Sequence, residues 1–206
     1  MARAKTPKEP RRSGTPEDRL IDAALALAER QGWRRTGLAE IAAEAGLSLV
    51  EAYALHRGKA GILRAFQRRI DQAALEGTGR QSGESARERL FDVLMRRLDA
   101  LKPHKAAIRA ILRDSVGHPG AIFGIAGVER SMRWMLEGAG IATGGCAGRV
   151  LTHLVTALYL SVLRTFLGDD SEDSGRTMAA LDRGLRQGER MCRFLPGRGR
   201  PAARAA

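Results

Sequence analysis

Residues 38–55 read LAEIAAEAGLSLVEAYAL and predict two short helices joined by a tight turn at Gly46. Ala42 and Ala45 are small enough to let the two helices cross closely, and glycine permits the left-handed backbone of a sharp turn. Ser48 stands where it can cap the second helix. These are the dimensions of a helix-turn-helix, whose second helix enters the major groove of DNA, although any helical bundle contains short turns of this kind.

A longer helix is predicted on each side of this pair. The first opens at Thr15, a hydroxyl cap followed by a proline and two acids, and it ends at Gly32. Thr36 precedes the second helix and is its expected cap. The fourth helix spans residues 59–75 and carries a stripe of apolar side chains on one face.

Five further helices are predicted after a glycine-rich loop, and no strand-like alternation occurs. They cover residues 90–101, about 104–116, 122–136, 150–167 and 178–191. The segment 150–167 approaches the length of a membrane span, but it holds an arginine, a histidine and several hydroxyls that a bilayer disfavours. Burial by its own core and by a second copy of the chain is therefore favoured over a membrane span, and the fold class is all-α with about nine helices.

The charge balance favours a polyanionic partner without proving one. Among 206 residues, 35 are lysine or arginine and 23 are aspartate or glutamate, so the formal net charge is +12. A basic chain attracts nucleic acid, while a solvated basic surface stays an open alternative. The two cysteines, Cys146 and Cys192, form no disulfide or metal pattern, and the N-terminus lacks the apolar segment of a signal peptide, so we expect a cytoplasmic protein.

The stretch from Leu20 to Phe66 resembles the N-terminal domain of TetR-family transcriptional regulators. The resemblance rests on the first helix, the Gly32-Trp33 turn, the threonine before LAEIAAEAG, the tyrosine of the third helix and the lysine that opens the fourth. It implies a ligand-responsive repressor that binds a near-palindromic operator in double-stranded DNA as a homodimer. The helices after residue 84 agree in layout with the ligand-binding and dimerisation domain of that family.

The resemblance also implies a domain division and a set of DNA-contacting residues. The predicted segments are a disordered basic arm at 1–16, a helix-turn-helix domain at 17–76, a ligand-binding and dimerisation domain at 84–195 and a disordered tail at 196–206. Thr36, Tyr53 and Lys59 are expected to meet phosphates, although Thr36 and Ser48 can be read as caps only. The full predicted DNA-binding set is Arg35, Thr36, Ser48, Leu49, Val50, Ala52, Tyr53, Arg57 and Lys59.

One departure from the family pattern supports an alternative function. The third helix carries Glu51 and no lysine or arginine before Arg57, whereas base and phosphate contacts usually draw on basic and amide side chains. Residues 87–112 and 149–185 are loosely similar to the TetR-like accessory protein of ubiquinone biosynthesis, which implies a lipid-sized apolar cavity and no DNA binding. The retained Thr36, Gly46, Tyr53 and Lys59 favour the regulator.

No motif predicts an enzyme. The sequence has no phosphate-cradling glycine motif, no HExxH and no nucleophile elbow, and His104, His118 and His153 fall on separate elements. We therefore expect a non-enzyme with no cofactor and no metal. An unknown small apolar ligand is the expected effector, and polar anchors for it are expected among residues that core packing also explains. These are His104, Trp134, His153 and Tyr159.

Overall fold

The computed structural model describes residues 14–78, 83–115, 120–171 and 173–193, and within these ranges the chain is helical without strands. The side chains of 120–123 and 191–193 are not among those described. The predicted tail, most of the predicted basic arm, and His118 therefore lie outside the described residues. The all-α prediction is confirmed for the described part of the chain.

The described residues contain nine α-helices and one 3₁₀ turn. The turn is Lys102–His104 and follows the fifth helix directly. The helices are α1 Pro16–Gln31, α2 Leu38–Glu44, α3 Leu49–Leu55, α4 Lys59–Leu75, α5 Ala86–Leu101, α6 Lys105–Ser115, α7 Gly120–Gly138, α8 Gly145–Leu167 and α9 Gly175–Arg193.

The chain divides into two compact units, and each is assembled from two segments. One unit holds Met1–Phe66 and Ala106–Val116, and the other holds Gln67–Lys105 and Gly117–Ala206. The first unit thus takes most of α6, whereas the sequence pattern placed the division between residues 76 and 84. Helix α4 contributes its first half to the first unit and its second half to the second.

Capping interactions fix the ends of the helices in the first unit. Thr15 and Asp18 form a reciprocal capping box at the start of α1, which satisfies amide groups that a helix leaves free. Arg19 of α1 donates from Nη1 to the Ala45 carbonyl at 3.2 Å, so α1 is tied to the end of α2. Gly46 follows with φ of +66°, which confirms the left-handed turn predicted there.

The second unit contains a buried polar cluster that joins four helices. Arg97 of α5 is only 3% exposed, and its Nε donates to Asp71 Oδ1 of α4 at 2.9 Å. The same guanidinium donates to the Tyr159 hydroxyl of α8 and to Ser131 Oγ of α7, and Ser131 in turn donates to Asp71 Oδ2 at 2.6 Å. Burial raises the pKa of Tyr159, so its phenol stays neutral beside the buried ion pair.

A second polar centre organises the start of α9. Asp169 follows α8, is buried, and accepts from the Thr177 amide at 2.9 Å and the Thr177 hydroxyl at 2.7 Å. Hydrogen bonds from Ser171 and Thr177 hold the pKa of Asp169 well below its ordinary value. Lys105 donates to the Asp169 carbonyl at 2.5 Å, so one short segment satisfies groups at the ends of α6, α8 and α9.

Helix α8 has an apolar surface that its own unit covers only in part. By length and composition alone it could cross a membrane, but the core helices of globular proteins can have the same length and composition. Of its most apolar 18 residues, 33% are buried. Val150 and Leu154 are exposed on the outer side, together with Ala157 and Ser161. The neighbouring flank of α8 packs closely on α9, since a Cβ at Gly184 would lie 2.1 Å from Leu158 Cδ1.

The polar cluster of α5 yields a stability prediction. Replacing Asp71 with alanine leaves the Arg97 guanidinium buried without its carboxylate, and breaking a buried pair in this way costs roughly 3–5 kcal/mol. We expect the free energy of unfolding, measured by urea titration at fixed protein concentration, to fall by about that amount in Asp71→Ala. The double variant Asp71→Leu/Arg97→Met should recover most of the loss, because no unpaired charge remains.

The control for this prediction is an exposed ion pair on the same helix. Asp99 and Lys102 lie 2.9 Å apart at the surface, and such pairs contribute about 0–1 kcal/mol. A loss in Asp71→Ala no larger than that in Asp99→Ala would contradict a stabilising role for the cluster.

Candidate nucleic-acid interface

Helix α3 is positioned by a capping box at its first turn. Ser48 accepts from the Glu51 amide at 3.2 Å, and Glu51 Oε2 accepts from the Ser48 amide at 2.8 Å and from its hydroxyl at 2.7 Å. The Ser48 side-chain and backbone hydrogen bonds lower the pKa of Glu51. The cap predicted at Ser48 is confirmed, and both side chains that could have been free for DNA are bonded to each other.

One side of α3 is exposed and the other is buried. Leu49 is 54%, Val50 78% and Tyr53 60% exposed, whereas Ala52 is 3% exposed. The spacing explains the split, because residues 49, 50 and 53 fall on one arc of a helix and residue 52 falls opposite. Ala52 therefore packs into the core of the first unit, although the sequence analysis placed it among the DNA-contacting residues.

Thr36 occupies a position different from the one predicted. Gly37, not Thr36, is the N-cap of α2, and Glu40 accepts from the Gly37 amide at 2.8 Å. Thr36 is 2% exposed, and its hydroxyl donates to the Gly32 carbonyl at 2.8 Å. The hydroxyl proton closes the turn between α1 and α2, so the prediction that Thr36 caps α2 and faces a phosphate is corrected to a structural role.

Lys59 also forms internal contacts. Its Nζ donates to the Trp33 carbonyl at 2.7 Å and the Thr36 carbonyl at 2.9 Å, and it lies 4.6 Å from the centroid of the Trp33 ring. Partial burial lowers the pKa of Lys59, while the charge of Asp114 opposes that shift. The first residue of α4 is thus hydrogen-bonded to the turn that precedes α2.

Asp114, which the sequence analysis did not single out, supports the same turn from α6. Its Oδ2 accepts from the Arg34 amide at 3.1 Å. Gly32 has φ of +88°, and a Cβ there would lie 3.0 Å from Asp114 Oδ2, so a side chain at this position would crowd the carboxylate. No local pattern signals this contact, because 80 residues separate Asp114 from Arg34.

Arginines flank α3 while the nearby acids are engaged. Arg34, Arg35 and Arg57 are exposed, and none of their guanidinium groups forms an ion pair within the described residues. Glu44 pairs with Arg30 at 3.3 Å. Glu17 lies 2.9 Å from His56 Nε2, and Gly61 of α4 leaves the room that the His56 side chain needs. The three arginines therefore keep their charge free for an outside partner, while Glu40, Glu44 and Glu51 stay ionised within the helix pair.

The four residues predicted to anchor a ligand are not brought together. Tyr159 is fully buried and bonded to Arg97. His153 is exposed, with Nδ1 at 2.8 Å from the Arg149 carbonyl, and Trp134 is exposed on α7. His104 is half-buried in the 3₁₀ turn. Two open depressions of about 270 Å³ each lie elsewhere, along charged side chains of α5 and α9.

No metal site is evident in the part of the chain that the structure describes. Within it, no group of three or more His, Cys, Asp and Glu side chains could hold a metal ion.

Comparisons with known proteins find a family match in the N-terminal part of the chain and similar folds among solved structures. Residues 20–66 match the family described as bacterial regulatory proteins, tetR family. A search of curated proteins returned no match. A TetR transcriptional regulator from Nitrosomonas europaea has a similar structure, with a TM-score of 0.68 and 26% identity over 85% of this chain and 99% of that one.

Two further solved structures share the fold. A TetR transcriptional regulator from Rhodococcus has a TM-score of 0.61 and 23% identity over 84% of this chain and 94% of that one. NalD of Pseudomonas aeruginosa, the secondary repressor of the MexAB-OprM efflux pump, has a TM-score of 0.50 and 18% identity over 83% and 94%. With its exposed α3 in the N-terminal unit, the chain carries the N-terminal domain of the TetR family of bacterial regulatory proteins and has the all-α fold of TetR-type transcriptional regulators.

Proposed function

We propose that this chain is a cytoplasmic transcriptional regulator that represses by binding a near-palindromic duplex as a homodimer. The observation that carries the proposal is an exposed helix, α3, inside a domain that matches the TetR family, with arginines before α2 and after α3 that form no ion pair within the described residues. Phosphate contacts position such a helix, and its exposed side chains reach the base edges.

The corrected geometry changes which residues we assign to DNA. Arg34, Arg35 and Arg57 are proposed to neutralise phosphates, because their guanidinium groups are exposed. Tyr53 is proposed to meet a phosphate through its phenol, as the family resemblance implies. Leu49 and Val50 face the bases, and Ser48 lies at the edge of this surface. Thr36, Ala52 and Lys59 act beneath it as supports.

The lipid-binding alternative draws less support from the structure. It needs a large apolar cavity with a few polar anchors, but Trp134 and His153 point to the surface and Tyr159 is enclosed by protein. A small apolar effector therefore stays part of the proposal without an assigned pocket. A regulator that responds to a ligand would open such a pocket by repacking the second unit.

Selection of bound sequences from random duplexes tests the proposed function. A symmetric dimer that presents two copies of α3 roughly 34–36 Å apart enriches a near-palindrome with half-sites about one helical turn apart. We expect two inverted half-sites in the recovered sequences. Recovery of random sequence, combined with thermal stabilisation by long-chain apolar compounds, would favour the lipid-binding alternative.

The outer side of α8 supports a dimer. Val150, Leu154 and Ala157 are exposed at helical spacing on one side of α8, and exposed apolar patches of this kind mark interaction surfaces. A two-fold interface pairs a surface with itself, which suits an apolar stripe whose one charged neighbour on this side, Arg164, lies near the end of the helix. A second copy of the chain is therefore the proposed occupant.

Sedimentation at micromolar concentration should give about twice 22.3 kDa. Leu154→Glu should shift the protein to one copy without unfolding it, because the interface would then bury an unpaired charge. Leu112→Glu is the matched control, since Leu112 is similarly exposed but lies on α6 in the first unit. A wild-type monomer, or equal dissociation by both variants, would contradict this interface.

Arg57 and Lys59 should respond in opposite ways to substitution. Removing the Lys59 ammonium leaves the Trp33 and Thr36 carbonyls without their donor, so Lys59→Met should lower the free energy of unfolding by about 1–3 kcal/mol. The slope of log affinity for DNA against log salt should stay the same. Arg57→Ala should leave the free energy of unfolding unchanged. It should make that negative slope less steep by about 0.9, the value expected for one phosphate contact.

Urea titration and salt-dependent binding to one duplex measure both effects. Arg133→Ala on α7 is the control for Arg57→Ala, because Arg133 is exposed but lies in the second unit. A reduced slope in Lys59→Met with unchanged stability would return Lys59 to the set of phosphate contacts.

A further inference from the structure

Apart from Tyr53 and the capped Glu51, the exposed side of α3 offers only aliphatic contacts. Val50 and Leu49 are its most prominent aliphatic side chains, at 78% and 54% exposed, and Ala54 lies beside them on the exposed arc. No lysine, arginine, asparagine or glutamine lies between Leu49 and Leu55. The side chains that usually form bidentate hydrogen bonds with guanine or adenine are therefore absent from this helix.

The two polar side chains at the start of the helix bond to each other. Ser48 donates its hydroxyl proton to Glu51 Oε2 at 2.7 Å, and the same oxygen accepts from the Ser48 amide. If either group formed a hydrogen bond with a DNA base, the cap of this seven-residue helix would break. The loss of a cap lowers the stability of a helix by roughly 0.5–2 kcal/mol. Reading of bases through these hydrogen bonds is thus opposed by the stability of α3 itself.

The unpaired arginines near this side favour DNA as its occupant. Arg34, Arg35 and Arg57 are exposed before α2 and after α3, and within the described residues their guanidinium groups form no ion pair. Exposed aliphatic side chains on a helix, with unpaired arginines before and after the helix pair, suit a surface that offers both anionic groups and methyl groups, and the one carboxylate of α3, Glu51, is held by Ser48. The major groove has this arrangement, because phosphates line it and each thymine projects a 5-methyl group into it.

We propose that Leu49 and Val50 select DNA by contact with the 5-methyl groups of thymines. The inference rests on the proposed function, and it names the feature of the operator that this chain reads. Phosphates bound by the arginines would fix the position of α3, and the aliphatic side chains would then favour half-sites that present methyl groups beneath them. In this proposal the choice among DNA sequences depends on apolar contact, and the overall affinity for DNA depends on charge.

Deoxyuridine substitution tests the proposal on a duplex recovered by selection. Uracil keeps the hydrogen-bonding edge of thymine and lacks only the methyl group. Each contacted thymine replaced by uracil should weaken binding about threefold to fourfold, the factor expected when one methyl group loses its apolar contact. Replacing thymines outside the half-sites in the same duplex is the control and should leave affinity unchanged.

A protein variant links the effect to α3. Val50→Ala removes two exposed methyl groups without disturbing the core, so it should weaken binding to the thymine duplex and respond less to uracil than the wild type does. Leu112→Ala, an equally apolar change away from α3, should keep the full response. Placing 5-methylcytosine at a contacted position should bind better than cytosine there, which separates the methyl group from the shape of an A·T pair.

The outcomes separate this inference from the function it rests on. A selected near-palindrome that binds equally well with uracil at every thymine would overturn methyl reading and leave the regulator intact. Failure to select any duplex would overturn both. A loss with uracil that Val50→Ala and Leu49→Ala do not reduce would assign the methyl contacts to residues other than these two.

Discussion

The first unit depends on one ammonium group. Lys59 opens α4 and donates to the Trp33 and Thr36 carbonyls, two groups in the turn between α1 and α2 that no helix satisfies. Buried carbonyls need donors, and a charged donor forms the stronger bond. Because the same contacts fix α4 relative to the start of α2, they also fix where the α2 to α3 turn begins. The exposure of α3 follows from that position.

In the second unit, hydrogen bonds satisfy a buried charge instead of buried carbonyls. There the charge itself is buried, on Arg97, and the surrounding helices supply a carboxylate and two hydroxyls. A buried ion pair adds little stability compared with apolar packing, but it is costly to break. The cluster therefore holds four helices in one arrangement more than it stabilises the unit, and any repacking that admits a ligand must keep Arg97 paired.

The sequence predicted features that depend on short segments, and it missed features that depend on which side chains are buried. Helical periodicity, the Ser48 cap and the Gly46 turn are properties of short segments, and they predicted the helices and the turn correctly. The burial of Thr36 and Ala52 and the internal contacts of Lys59 were missed, because the family resemblance assigns roles to positions without showing which way a side chain points. Asp114 was missed because its contact joins residues far apart in the chain, and the predicted ligand residues were grouped by type although they face different directions.

These corrections separate two tasks that a DNA-binding helix often combines. Where arginine or lysine lies on the recognition helix, one side chain can both neutralise charge and read a base. In this chain the unpaired arginines precede and follow the helix pair, whereas α3 itself exposes aliphatic side chains, its Glu51 is held by Ser48, and Lys59 donates to internal carbonyls. Affinity then follows ionic strength, since it comes from the arginines, whereas the choice among sequences comes from apolar contacts that salt screens very little. Evolution of a new operator in such a protein needs only changes in size at Leu49 and Val50, with no change in its overall attraction to DNA.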